Sequence, residues 1–289
     1  MPTLNYAAPS TVDEAVKLLA GSSGLAKVLS GGTDLLVQLR SGRLKPELIV
    51  DTKHIPGIIG IREEGGGFVV GAATPGAVVE AHAGMNKAWP GVVEALDLIG
   101  SQQIQGRCSL AGNLCNASPA ADSVPAVIAA GATCVVAGPD GRREVPVEAI
   151  VTGPGQTSLK KGELVVAFHI PKPKAHQSDA YLRFIPRTEM DIAVVGCAVN
   201  VTLDATGMCT DARVVLGAVA PTQVIVEDAA KALIGHRLDD ATLAALDTAA
   251  QRACKPITDK RGTIEYRTKV AGVLARRAAA IAFERAARA

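Results

Sequence analysis

Ser30-Gly31-Gly32-Thr33-Asp34 and, further along, Ser109-Leu110-Ala111-Gly112-Asn113 decide how this chain is read. Each joins glycine to polar side chains beside apolar residues that read as regular structure. Glycine lacks the Cβ that blocks positive φ and close approach, so successive backbone N–H groups can converge on one anion. A charge-assisted hydrogen bond contributes about 1.5–3 kcal/mol, so several converging donors offset much of the desolvation of a diphosphate. Two such loops, gripping from both sides, make a dinucleotide the first ligand to consider.

Around the first loop the pattern is strand, glycine turn, helix, a phosphate-binding context. Thr11 and Glu14 form a capping box, Val12, Val16 and Leu19 share one helical face, and Gly21 ends that helix. The apolar residues of 26–29 then run into the loop, Leu35, Leu36 and Leu39 mark a short helix, and residues 48–51 form a strand that closes the unit. Strands at 58–62 and 68–73 flank the glycine run Gly65-Gly66-Gly67 as a hairpin, with helical stretches at 75–83 and 88–98. Beyond the second loop come a helix at 124–130 and strands at 133–137, 143–145 and 163–170. Asp122 also stands where it would serve as N-cap for the helix that follows.

Pro171-Lys172-Pro173-Lys174 reads as an extended connector. After it the pattern gives strands at 180–186, 193–203 and 209–220, then helices at 227–234, 240–254 and 264–286. On the last helix Tyr266, Val270 and Leu274 fall on one face. The fold class is α+β: domain 1–176, with subdomains at about 1–55 and 56–176, followed by a three-strand, three-helix domain at 177–289.

Bulk properties exclude several functions. The 289 residues are 48% hydrophobic, enough for a sizeable core, while 30 Lys and Arg against 28 Asp and Glu give no basic field for nucleic acid. Met1-Pro2-Thr3-Leu4-Asn5-Tyr6 lacks a basic stretch leading into an apolar run, and no apolar span reaches membrane length, so a cytoplasmic protein is expected. The cysteines at 108, 115, 134, 197, 209 and 254 contain no C-x-x-C and read as reduced packing residues, Cys115 included. No P-loop, H-E-x-x-H or G-x-S-x-G motif occurs, and Gly153-Pro154-Gly155-Gln156-Thr157-Ser158 lacks the last glycine of a Rossmann fingerprint. None of the five isolated histidines stands in a catalytic pattern.

Ser30-Gly31-Gly32-Thr33-Asp34-Leu35-Leu36 resembles an A-G-G-T-D-L-L loop, and residues 109–122, SLAGNLCNASPAAD, resemble T-I-G-G-N-I-x-N-A-S-P-A-A-D. Both loops are those of the FAD-binding medium subunit of the molybdenum hydroxylases, the xanthine dehydrogenase and aerobic carbon monoxide dehydrogenase family. The resemblance covers nearly the whole chain. It implies an FAD-binding domain of the PCMH type, with Ser30, Gly31, Gly32, Thr33, Asp34, Ser109, Leu110, Ala111, Gly112 and Asn113 around the pyrophosphate. It further implies Asp122 at the ribose and adenine end, Arg183 near the flavin, and Ile192 and Leu164 or Val165 against the isoalloxazine ring. Thr33 stands where some relatives have histidine, so the FAD is expected to be noncovalent. Ala111 replaces the first glycine of the second loop, and an extended conformation is expected there.

The function so implied is an electron-transfer subunit, with no catalytic side chain of its own. Molybdenum cofactor and [2Fe–2S] clusters would sit on partner chains, a small iron–sulfur subunit and a large molybdenum subunit, in a dimer of heterotrimers; NAD or another acceptor would take the electrons. The alternatives are a stand-alone flavin reductase or oxidase of the same superfamily, and a flavin-free scaffold subunit.

Overall fold

In the computed structural model, which describes residues 4–289, Thr11 Oγ1 accepts the Glu14 N–H at 3.1 Å and opens the first helix. Met1, Pro2 and Thr3, the start of the N-terminal stretch read above, lie outside the described residues. The reciprocal bond runs from the Ser10 N–H to Glu14 Oε2 at 2.8 Å, so the box closes one residue early. This helix, α1 (Val12–Gly21), buries Ala15, Val16 and Leu19. Beside it β1 (Asn5–Ala7), β2 (Ala26–Leu29) and β3 (Leu48–Asp51) form a parallel sheet in the order β1-β3-β2, with α2 (Leu35–Arg40) following the first glycine loop. Both strands expected here form with the expected bounds.

The hairpin that follows begins later than its apolar run suggests, as β4 (Ile61–Glu64) and β5 (Gly67–Gly71). Ile58 turns inward instead, and its carbonyl accepts the Ala73 N–H at 2.9 Å. Six short helices come next or nearly so: α3 (Gly76–Glu80), α4 (Ala83–Ala88), α5 (Pro90–Asp97), α6 (Gln102–Gln105), α7 (Leu110–Cys115) and α8 (Ser123–Ala129). The strands β6 (Thr133–Gly138) and β7 (Gly141–Pro146), a small hairpin of β8 (Val151–Gly153) and β9 (Gln156–Thr157), and β10 (Leu164–Ile170) complete the unit. Its main sheet is antiparallel in the order β4-β5-β10-β6-β7.

A second antiparallel sheet runs β11 (Gln177–Phe184), β12 (Val195–Leu203), β13 (Cys209–Gly217) and β14 (Val224–Ile225) in that order. The expected three strands therefore become four, because a two-residue edge strand is too short to show a period. The helices α9 (Glu227–Leu233), α10 (Asp240–Ala253) and α11 (Ile264–Ala286) cover one face. The buried stripe of α11 is Ala271, Leu274, Ala275, Ala278 and Ala282, whereas Tyr266 is exposed, so the face read from sequence is rotated. Small side chains let this helix lie close on β11 and β12.

Polar contacts fasten the two sheets' units across the Pro171–Lys174 connector. Asp179 of β11, only 1% exposed, accepts the Gly91 N–H of α5 at 2.9 Å through Oδ1, while its Oδ2 has no partner among the described residues. Glu94 of α5 accepts the Tyr181 N–H at 3.1 Å and pairs with Arg285 of α11, whose Nη1 also donates to the Asp179 carbonyl at 2.9 Å. The Trp89 indole donates to the Pro171 carbonyl at 2.7 Å, and the Asn200 amide donates to the Ala129 carbonyl at 2.9 Å. Burial pushes the Asp179 carboxyl up to about 7, with Glu94 adding to the rise and Gly91 and Arg285 opposing it. The folded chain thus binds this proton more tightly than the unfolded chain. Stability held below the unfolded value near 3.8 is lost as pH rises to about 7. Melting temperatures measured across pH 4–8 should show that Asp179→Asn, which keeps the acceptor for Gly91, removes this loss and gains on the wild type as pH rises.

Candidate functional site

The first glycine loop is held from behind by the sheet. The Thr52 N–H bonds the Leu29 carbonyl at 3.2 Å, and the Leu36 N–H bonds the Gly32 carbonyl at 3.0 Å. Gly32 has φ +78°, a left-handed conformation that side-chain-bearing residues rarely adopt. Gly31 is required for a different reason: a Cβ there would lie 1.7 Å from the Arg107 carbonyl oxygen. With the chain so folded, the N–H groups of Gly31, Gly32, Thr33 and Asp34 have no acceptor among the described residues.

What reads as a second loop is the start of helix α7. Ser109 is its N-cap: Oγ accepts the Gly112 N–H at 3.1 Å and shares a 2.9 Å hydrogen bond with Ser30 Oγ, which ties the two segments together. The Asn113 N–H bonds the Ser109 carbonyl at 2.9 Å, and the N–H groups of Leu110 and Ala111 have no acceptor among the described residues. Ala111 is helical, not extended as expected, and helical φ accommodates its methyl group. Asn113 Oδ1 accepts the Ser123 N–H at 3.1 Å and the Ser123 hydroxyl at 2.7 Å. Asn113 therefore caps α8; Asp122, expected in that task, stands at the N-cap position but makes no side-chain cap bond.

Between the two segments lies a cleft of about 440 Å³. Ser30, Gly31, Gly32, Thr33, Asp34, Ser109, Ala111, Gly112 and Asn113 line it, with Leu164 and Val165 of β10 beside Ala72, Ile99 and Leu159 as its apolar wall. Cys108 and Cys115 also line it, and burial pushes their thiols up to about 11 and about 12, so both remain protonated packing groups at neutral pH. Lys27, Lys160 and Lys161 are lining residues that sequence reasoning passed over, because single lysines beside a strand or turn look like ordinary solvated positions.

Other site residues named from sequence stand elsewhere. Leu110, named from sequence beside the pyrophosphate, is 2% exposed in the core and does not line the cleft. Asp122 and Arg183 form a buried ion pair, Nη1 to Oδ2 at 2.8 Å, and Tyr181 donates its hydroxyl to Asp122 Oδ1 at 3.0 Å. Two groups in contact cannot serve opposite ends of one dinucleotide, so the adenosine-end role of Asp122 and the flavin-end role of Arg183 do not both stand. Burial pushes the Asp122 carboxyl up to about 6 against the opposing pull of Arg183 and Tyr181. Ile192 is 52% exposed on the segment before β12 and is not part of the cleft lining. Among the described residues no cluster of metal-ligating side chains occurs, and no helix is long and apolar enough to cross a membrane.

Residues 2–173 match the family model described as the FAD binding domain in molybdopterin dehydrogenase, and residues 180–282 match the CO dehydrogenase flavoprotein C-terminal domain. The chain belongs to the FAD-binding medium subunits of the molybdenum hydroxylases. Among its relatives is the carbon monoxide dehydrogenase medium chain of Hydrogenophaga pseudoflava, 33% identical over 286 residues and covering 99% of both chains. The xanthine dehydrogenase FAD-binding subunit of Escherichia coli is 32% identical over 265 residues, 91% of this chain and 90% of that one. A solved structure of the Hydrogenophaga pseudoflava carbon monoxide dehydrogenase superposes with a TM-score of 0.93 at 34% identity over 99% of each chain. As in this family, the chain is an oxidoreductase FAD subunit of the carbon monoxide dehydrogenase and xanthine dehydrogenase type.

The medium-subunit cleft depends unequally on its glycines. A Cβ at Gly31 collides with backbone, whereas one at Gly112 would meet only the Ser109 hydroxyl, at 3.2 Å. Gly31→Ala should therefore separate the two segments and lower the melting temperature by several degrees, with faster hydrogen exchange around residues 31–36, while Gly112→Ala should change either measurement little.

Proposed function

We propose that this subunit binds FAD noncovalently in the cleft, with the diphosphate between the two segments that the Ser30–Ser109 hydroxyl bond joins. The observation that carries the reading is the set of N–H groups on lining residues that have no acceptor among the described residues: Gly31, Gly32, Thr33 and Asp34 on one side, Ala111 on the other. Backbone donors held by packing need no reorganisation to receive an anion, and each adds a charge-assisted hydrogen bond of about 1.5–3 kcal/mol. The Thr33 hydroxyl and the Asn113 Nδ2 group, neither engaged in a side-chain bond, supply further donors. Leu164 and Val165 offer an apolar wall to a flat ring system.

When bound, FAD would supply a two-electron carrier between [2Fe–2S] clusters on a small partner chain and NAD or another acceptor. The chain's own contribution is to bind, orient and shield. Burial holds the cleft thiols of Cys108 and Cys115 protonated, and the reading places the molybdenum and iron–sulfur centres on partner chains. One related solved structure is of a copper- and molybdenum-containing carbon monoxide dehydrogenase, and a relative of this chain is named a carbon monoxide dehydrogenase medium chain. We infer the same assembly here, a small iron–sulfur chain and a large molybdenum chain, in a dimer of heterotrimers.

Purified and then denatured by heat or acid, the chain should release FAD into the supernatant, with flavin absorption and no flavin left on the precipitated polypeptide. Absence of releasable FAD after purification, together with no rise in melting temperature when FAD is added, would overturn the reading. Purification from the native host should bring down two further polypeptides with molybdenum and iron.

A further inference from the structure

Lys53 stands behind the first glycine loop, outside the cleft lining, at the end of the strand that supports the loop. Its Nζ donates to the Ser30 carbonyl oxygen at 3.1 Å and to Asp51 Oδ1 at 2.7 Å. Asp51, only 4% exposed at the end of β3, also accepts the Lys53 N–H at 3.0 Å, and its Oδ2 accepts the Tyr6 hydroxyl at 2.8 Å. Against the upward push of burial, bonds from Lys53 and Tyr6 hold the Asp51 carboxyl below its usual range. The lysine is thus anchored through a carboxylate to the sheet and reaches one backbone atom of the loop.

We propose that Lys53 is a positioning residue for the cofactor diphosphate, holding the Ser30 carbonyl away from the cleft and so aiming the Gly31 N–H into it. This rests on the FAD reading above. In a trans peptide the carbonyl and the following N–H point in opposite directions, so fixing the Ser30 oxygen at Nζ fixes the Gly31 hydrogen on the other side. That side is the cleft, because Ser30 and Gly31 line it and Lys53 does not. Sterics alone leave this peptide free to turn over, since glycine tolerates both orientations. A turned peptide would present a carbonyl oxygen to the anion in place of a donor. The Arg107 carbonyl packed on Gly31 prevents the loop from backing away, but it does not choose the peptide's direction; Lys53 does.

The test uses the full chain freed of flavin. Quenching of flavin fluorescence gives the FAD dissociation constant for the wild type, Lys53→Met, Lys53→Gln and Lys53→Arg, phosphorus NMR reports the bound diphosphate, and thermal melts of the flavin-free chains report folding. Lys53→Met should weaken FAD binding about tenfold or more, with shifted diphosphate resonances, and Lys53→Arg should restore most of both. Lys53→Gln, which keeps a neutral donor, should fall between them and supplies the comparison if the methionine variant does not fold. Wild-type affinity or unshifted resonances in the neutral variants would overturn the role of Lys53. So would weakened binding that merely follows a lower melting temperature and is not restored by arginine. Failure of the wild-type chain itself to bind FAD would instead overturn the FAD reading, and this role with it.

Discussion

Of the glycines, Gly31 leaves the least room for a side chain, its neighbour being the Arg107 carbonyl, and the cleft depends on that approach. No side chain fits between these two backbones, so a parallel-sheet unit and an antiparallel-sheet unit meet main chain to main chain. Ser30 and Ser109 close the same seam with their hydroxyls, and Gln38 and Asn116 join it further along through a 3.0 Å amide hydrogen bond. Because each unit spends its regular hydrogen bonds inside its own sheet, the donors that face across the seam are the leftover ones at the ends of β2 and the start of α7. A seam of this kind collects unpaired N–H groups on both sides without burying a charged side chain between them.

Much of the fold was legible in the sequence where the elements are long or bounded by chemistry. The capping residues Thr11 and Glu14, the apolar runs of β2 and β3, and the long helices α10 and α11 carry their own signals. Short elements did not. Helices α6 and α7 have one turn or little more, so neither contains a full apolar period, and glycine and serine in that stretch read as loop. The strand β14 has two residues. On α11 the alanines carry too little hydrophobic weight to mark the buried side, and the larger Tyr266 and Val270 mark a neighbouring face that shares only Leu274 with it. Only contact with β11 and β12 fixes that rotation.

For the site, the backbone-centred part of the reading matches the geometry better than the side-chain part. Residues 30–34, Ser109 and residues 111–113 gather at one cleft because their spacing in sequence reflects a strand end and a helix start. Asp122, Arg183 and Ile192 depend on long-range pairing that one sequence does not reveal. The Asp122–Arg183 contact spans two units, and the carboxylate and guanidinium neutralise one another where either alone would be an uncompensated buried charge. Lysines at the cleft went unread for the opposite reason, since lysine is the least informative residue at a surface.

Asn113 joins these observations. Its backbone belongs to the segment that faces the cleft, while its side-chain oxygen caps α8, the helix that begins directly after Asp122. Asp122 in turn is bonded to Tyr181 and Arg183 on β11. Cleft floor, helix α8 and the first strand of the C-terminal sheet thus form one unbroken chain of polar contacts. Such a series has no slack in it: a displacement of α7 large enough to matter at the cleft must break the Asn113 cap or carry α8 along, and the C-terminal unit with it. The second domain is in this sense the ballast of the first, lending the rigidity of its alanine-packed helix and sheet to a six-residue helix that has little rigidity of its own.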